Sequence, residues 1–404
     1  MTETFREKNN KFRENLFYLL GFFSPISTAA ISILSMLFLI SLLIDFRSLR
    51  GIFSLIQTNQ VLISILLFFL LHIIGFAWLS VEPVNYFKSW MIFLIPLFMF
   101  GTRNISVEKG LYFFLFGCAL ISVLNLGYGY MFFDPRELLE GSWQYLTTTH
   151  IVLGPANAIS FGIAFTMFFF SKFKSSKFYL LLALMIILTL GIFYLPGRTG
   201  YILYILVAFF LIFYFYNTSL KRFLIACAVL TTILIAFWQT SPTLSHRAIE
   251  TSTNFTNFES YQDSNKPSSL IERLNFAVNS LNIYFKNPIL GYGTGSFKKT
   301  YEDLISDPNS MTDNPHNHHI LILFQFGIPG MIIYFSIFWR QLVFARTNKS
   351  HERLKAVIYL TPLFFIATNF FDTYFWEHHM QMIFAYLVTL LYRNKIEIED
   401  HKTL

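Results

Sequence analysis

The chain is written as a succession of apolar runs, each close to 20 residues long, and this constrains its fold more than any motif does. A helix needs about 20 apolar residues to cross the hydrocarbon core of a bilayer. Runs of that kind occupy 61–80, 86–101, 110–133, 149–171, 177–195, 199–216, 221–239, 317–339, 354–371 and 374–392. Of the 404 residues, 54 % are apolar and 13 % charged, whereas a soluble domain carries about 25 % charge. A soluble chain of this composition would expose apolar patches and aggregate. Disorder is excluded by the same hydrophobicity. The expected fold class is all-α, a polytopic integral membrane protein built as one domain over 1–404.

The stretch 12–44 is too long for one span of ordinary tilt and short for two, and Ser24-Pro25 interrupts it. Charge resolves it. Cytoplasmic loops collect Lys and Arg, which places Lys172, Lys174 and Lys177, Lys221-Arg222 and the block Arg340 to Lys355 inside. Counting spans back from there puts Arg103 and Lys109, then Arg47 and Arg50, on the same side. The basic N-terminal segment belongs there too, so 12–44 must cross an even number of times. A helical hairpin bent at Ser24-Pro25 gives about twelve transmembrane helices with both termini cytoplasmic. On this arrangement 21 of the 30 basic residues lie inside, and six of the other nine lie in one long loop. The formal net charge of +7 is thus explained by membrane orientation, and nucleic acid is not implied.

The long loop, residues 240–315, falls on the opposite side from the basic loops. Loops of this length in a compact chain are usually functional. Within it Ser269 to Glu272 has capping-box spacing, followed by Ile271, Leu274, Val278, Leu281 and Phe285 as one apolar stripe. The spacing predicts a helix over roughly 270–286, lying on the bilayer surface or over the bundle. Arg273 stands near its start, off the stripe. Gly291-Tyr-Gly293-Thr-Gly295 follows as a permissive turn; no Lys-Ser/Thr pair makes it a phosphate loop.

The loop closes on Asp313-Asn-Pro-His316-Asn-His-His319 and runs into a span. Asn314 is expected as the N-cap with Pro315 first in the helix. His316 then sits in the first helical turn, where the positive helix end favours neutral imidazole, the form a general base requires. That end also suits phosphate. The spacing of the three histidines is not the i, i+4 of a helical metal pair, and no metal site is expected. Arg198 lies in Leu-Pro-Gly-Arg-Thr-Gly between two spans, on the side topology would leave uncharged. It either snorkels to headgroups or clamps an anion, since guanidinium meets phosphate bidentately. His72, Asn125 and Asn157, inside spans, are read as interhelical hydrogen-bonding groups. Cys118 and Cys227 sit in apolar runs as packing residues. The N-terminus mixes acidic with basic residues and shows no cleavage site for a signal peptide.

Taken in order, Arg273, the segment Asn287 to Phe297, His316-Asn317, then Gly327 and Gly330 make a pattern that resembles the O-antigen ligase and O-antigen polymerase superfamily of bacterial inner-membrane glycosyltransferases. Gly197-Arg198-Thr-Gly200 fits the superfamily's arginine at the outer end of a mid-chain span, although serine is frequent where Gly197 stands. The pattern covers about 190–335; the first half agrees only in topology.

The resemblance implies a periplasm-facing site on the large loop, and a reaction joining a glycan carried on undecaprenyl diphosphate to an acceptor hydroxyl. In the ligases the acceptor is a sugar of lipid A–core oligosaccharide, and the step belongs to lipopolysaccharide biosynthesis. It further implies no metal, no cofactor and no nucleotide sugar, with membrane lipids as surroundings. Arg198 and Arg273 would then stabilise the leaving diphosphate, with Arg247 a weaker third. His316 would take the acceptor proton, and attack opposite the leaving group would invert the anomeric centre. Asn317 would orient His316 or cap the helix, and Gly291 and Gly293 would support the site. His318 and His319 receive no role. A polymerase of the same superfamily is the alternative. A transporter or flippase is the reading from another class, but no repeats and no mid-membrane ionisable set favour it.

Overall fold

The computed structural model describes residues 3–45, 51–78, 90–102, 105–132, 149–256, 269–305, 311–347 and 352–393. Arg47, Arg50 and Arg103, used in the charge argument, lie outside the described residues, as does the side chain of Ser269. Every described element is a helix. In chain order they are α1 (Glu3–Phe23), α2 (Thr28–Ile44), α3 (Ile52–Thr58), α4 (Gln60–Ile74), α5 (Trp90–Phe93), α6 (Ile95–Gly101), α7 (Val107–Phe132), α8 (His150–Phe169), α9 (Ser176–Phe193), α10 (Arg198–Tyr216), α11 (Leu220–Thr240), α12 (Pro242–Thr256), α13 (Ser269–Tyr284), α14 (Phe297–Leu304), α15 (His318–Thr347), α16 (Glu352–Thr368) and α17 (His378–Leu391). Among the described residues, six are long and apolar enough to cross a membrane, and α3 with α4, bent by 104°, would make a seventh. The chain is therefore a multi-span helical membrane protein.

The stretch 12–44 does form a hairpin. Ser27 caps α2 by accepting from the Ala30 N–H at 3.3 Å. Asn9 donates to the Ser41 carbonyl at 3.0 Å and accepts from the Ser41 hydroxyl at 2.6 Å, while Arg6 and Arg13 both face Asp45. The start of α1 therefore lies beside the end of α2, as an even number of passes requires.

The bundle centres on α8. Its small residues allow neighbours to come close: a Cβ on Gly154 would stand 3.0 Å from the Gly200 Cα. That approach sets the first turn of α10, and hence Arg198, against the first turn of α8. Asn157 donates to the Ser122 hydroxyl at 2.8 Å and ties α8 to α7, as expected. His72 Nδ1 lies 2.8 Å from the Phe68 carbonyl of its own helix, and the His72 carbonyl accepts from the Thr294 hydroxyl at 2.6 Å.

Two expectations need correction. The run 317–339 is not one continuous span. Gly327 takes φ 61°, ψ −155° and breaks α15 into two arms. His318 and Tyr334 are 16 residues apart, about 24 Å in a straight helix, yet their rings lie 5.5 Å apart. The first arm thus folds back along the second. Nor is Gly291 to Gly295 a mere turn: it supplies the partners the break exposes. The Tyr292 and Gly293 N–H groups donate to the Phe324 and Gln325 carbonyls at 3.0 and 2.8 Å, and the Ile328 N–H donates to the Pro288 carbonyl at 3.2 Å. Irregular backbone in such a protein has to find partners inside it. Gly291 and Gly293, with φ 68° and 94°, support the fold at this seam and do not line the candidate site.

Helix α13 runs where it was expected, with most of its apolar stripe turned away from the bundle. It buries Ile271, Phe276, Ser280 and Ile283, leaving Leu274, Val278 and Phe285 exposed. The aromatic cluster of Phe297, Tyr301 and Phe324 meets Ile283, and this contact sets the rotation of the helix.

Candidate active site

Three guanidiniums distant in sequence meet in one cavity. It has a volume of about 160 Å³ and is lined by His150, Ile151, Gly197, Arg198, Thr199, Arg247, Arg273, Asp372 and Tyr374. Arg198 is the first residue of α10, with Gly197 as its N-cap. Arg247 projects from α12, whose start is moored by the Ser241 and Thr243 hydroxyls donating to the Phe193 carbonyl. Arg273 comes from the first turn of α13, and Asp372 from the connection between α16 and α17.

Each arginine has an acidic partner that sequence proximity concealed or left unread. Arg198 Nη2 lies 2.7 Å from one oxygen of Glu250, and Arg247 Nη1 lies 2.8 Å from the other. Arg273 Nη2 lies 3.7 Å from Asp372 Oδ2, and its Nη1 donates to the Phe371 carbonyl at 3.3 Å. Burial alone would raise both carboxyls. For Glu250 the bonds from Arg198 and Arg247 prevail and hold it below the usual carboxylate range. For Asp372 the His316 ring, the Thr373 N–H and Arg273 do the same.

His316 reaches the cavity through Asp372: its Nδ1 is 3.2 Å from Asp372 Oδ1. Here the expected helix start is wrong. Asn317, not Asn314, precedes the first turn of α15; its Oδ1 accepts from the Ile320 N–H at 3.1 Å and its Nδ2 donates to the Phe370 carbonyl at 3.2 Å. His316 lies before the helix with φ 49°, a conformation L residues seldom adopt without support. The support is local. Asn314 Oδ1 accepts both the His316 N–H at 2.8 Å and the Thr373 hydroxyl at 2.9 Å. The imidazole therefore stands outside the helix, with the Asp372 carboxylate as its hydrogen-bond partner. Phe276 stacks on the ring at 6.1 Å between centroids.

His318 and His319 point into the protein. His318 is 1 % exposed and neither ring nitrogen has a hydrogen-bond partner, while His319 Nε2 meets the Ile366 carbonyl at 3.1 Å. Among the described residues no group of three or more His, Cys, Asp or Glu side chains is placed to hold a metal ion.

Sequence reading missed Glu250, Asp372, His150 and Tyr374. Glu250 carried a readable signal, the i, i+3 spacing from Arg247 on a helix. Asp372 carried a weaker one, an acidic residue in a very short connection between two apolar runs. Chemically, the arrangement is an anion site of three cations beside an imidazole held by a carboxylate.

Residues 181–335 match the family model described as O-Antigen ligase. The matched stretch holds Arg198, Arg247, Glu250, Arg273 and His316 and ends before Asp372. No curated protein matches the chain.

Proposed function

We propose, from the match of residues 181–335 to the O-antigen ligase model, that the chain moves a glycan from undecaprenyl diphosphate to an acceptor hydroxyl on lipid A–core oligosaccharide. The observation that carries this reading is the meeting of Arg198, Arg247 and Arg273 in one cavity with the His316–Asp372 pair at its edge.

A lipid diphosphate leaves with growing negative charge. Preorganised guanidiniums stabilise it most where water is scarce. The acceptor hydroxyl must lose its proton as it attacks. With Nδ1–H donating to Asp372, His316 keeps the Nε2 lone pair free to take it. Attack from the side opposite the diphosphate inverts the anomeric centre, and no step requires a metal. Orientation supports the same reading. The cavity lies at the starts of α8 and α10, while Lys172, Lys174 and Lys221-Arg222 follow their far ends, about 28–30 Å away for helices of 20 and 19 residues. Basic loops mark the cytoplasmic side, so the cavity faces the periplasm of an inner-membrane protein with residues 240–315 as its periplasmic segment.

Two measurements test the reading. In a deletion strain, loss of the lipopolysaccharide ladder with lipid-linked polymer retained identifies a ligase; a single repeat on core identifies a polymerase. With purified protein, Arg198→Lys and Arg273→Lys keep charge and lose bidentate geometry, so transfer should fall about tenfold or more. Wild-type turnover in both variants would leave headgroup contact as the better account of these arginines.

A further inference from the structure

We propose that the cleft between α8, α10 and α11 binds an acyl chain of an anionic phospholipid, with the lipid phosphate on Arg222, in the leaflet remote from the candidate active site. Its occupancy is independent of the chemistry at the three arginines.

The cleft follows from how α11 is seated. None of the 21 residues of this helix is buried. Phe237 stacks on Phe193 at 4.5 Å between centroids, and Phe223 meets Phe209 edge-on at 6.2 Å. Between these contacts opens a cavity of about 380 Å³, lined on the α8 side by Phe161 and Phe165. Ala208 of α10 and Ala226 of α11 leave its walls apart. Arg222 is the one charged residue that lines it. Water needs several polar partners to occupy such a space, whereas a hydrocarbon chain needs none.

Its depth matches one leaflet. The lining runs from Tyr216 to Tyr204 on α10 and from Arg222 to Ile233 on α11. These stretches rise about 18 and 17 Å along their helices. Half the hydrocarbon core of a bilayer is about 15 Å. The cleft therefore starts at the membrane surface beside Lys221-Arg222 and ends near the midplane. Tyr216 and Arg222 line its surface end together. Tyrosine favours that level of a bilayer, and guanidinium meets a phosphodiester bidentately.

Charge selects the headgroup. Residues 141–249, which include the whole of α8 to α11, contain no Asp or Glu. The connections at this end carry Lys172, Lys174 and Lys221 besides Arg222. A lipid phosphate there meets cations with no acidic competitor from the same helices. Basic pockets between membrane helices bind anionic headgroups for this reason.

The experiment uses purified full-length protein in detergent micelles with a trace of phosphatidylglycerol that carries a photoreactive acyl chain. Cross-linked residues are mapped by mass spectrometry for wild type, Arg222→Gln and Ala226→Trp, with thermal unfolding to confirm folding. Labelling should concentrate between Tyr204 and Ile233. Unlabelled phosphatidylglycerol should suppress it at about fivefold lower concentration than phosphatidylcholine, the worth of one cation near a lipid phosphate. Arg222→Gln should remove most of that preference, and Ala226→Trp, which fills the cleft, should lose the labelling. Labelling spread evenly over the lipid-facing helices, equal suppression by both lipids in wild type, or labelling kept in folded Ala226→Trp overturns the site. Suppression by undecaprenyl phosphate and not by phosphatidylglycerol also overturns it, and assigns the cleft to a polyprenyl chain. Should Ala226→Trp not fold, Arg222→Gln decides: a preference kept at its wild-type value overturns the assignment, and a lost one supports it.

Discussion

Changing Asp372 to Asn tests the site at the point where sequence and structure diverge most. Asp372 is 8 % exposed and accepts from His316 Nδ1 at 3.2 Å and from the Thr373 N–H at 2.7 Å, with Arg273 at 3.7 Å. Asparagine fits the same space. The oxygen that meets His316 also accepts the Thr373 N–H, so the amide oxygen keeps that place and the ring keeps its tautomer. What is lost is the carboxylate charge that stabilises the imidazolium formed when His316 takes the proton. A positioned general base contributes about 10²–10⁴-fold, so kcat for Asp372→Asn should fall by about that factor, to the level of His316→Ala. Donor KM should not rise, because Arg273 loses a competing carboxylate and stays free for the diphosphate. The double variant His316→Ala with Asp372→Asn should be no slower than either single one, since both remove the same function. The assay is single-turnover transfer from lipid-linked glycan to acceptor by purified protein at neutral pH, with thermal unfolding run in parallel to confirm folding. A kcat within about threefold of wild type would refute the base assignment. So would losses that multiply in the double variant.

Other outcomes follow from the same geometry. A Cβ at Gly327, already at φ 61°, would run into the Ile289 carbonyl and lie 2.7 Å from the Pro288 oxygen, so Gly327→Ala should destabilise the fold by about 3 kcal/mol or more, read as a lowered unfolding temperature. Glu250 and Asp372 are both held below the usual carboxylate range; their contribution to stability is present above the unfolded carboxyl pKa near 4 and is lost as pH falls through the lower folded values. The unfolding temperature should therefore stay level from about pH 8 to 5 and drop below about pH 4, and the drop should be shallower in Glu250→Gln. An impermeant thiol reagent on intact spheroplasts should label a cysteine placed at residue 286 and not one at residue 174; the reverse pattern would invert the topology. Chelation by EDTA should leave transfer unchanged; inhibition by EDTA that zinc reverses would require a metal site and displace His316 as base.

The chain's own pattern was enough for the all-α membrane class, for the hairpin of α1 and α2, and for singling out Arg198, Arg247, Arg273 and His316, which the fold brings to one place. Those choices were readable because burying charge in a membrane protein is costly. A guanidinium on the side that topology leaves uncharged, or an imidazole at the mouth of a span, stands out without any knowledge of neighbours. The local geometry of the site was not readable. Whether Asn314 or Asn317 caps α15 depends on the Asn314 side chain being drawn off by His316 and Thr373, and Thr373 lies 59 residues further on. The glycines at 291 and 293 look like a turn until Gly327 breaks α15 and leaves carbonyls for their N–H groups to meet.

Pairing was decided by tertiary structure alone. Arg273 and Asp372, His316 and Asp372, and Arg198 and Glu250 are separated by 52 to 99 residues, and only the close passage of α8 past α10 and the fold-back of α15 bring them to one cavity. Sequence fixes which groups are too polar to bury unpaired. It does not say which partner each will find, because that depends on helix rotations set by contacts such as Gly154 against Gly200 and Ile283 against Phe297 and Phe324.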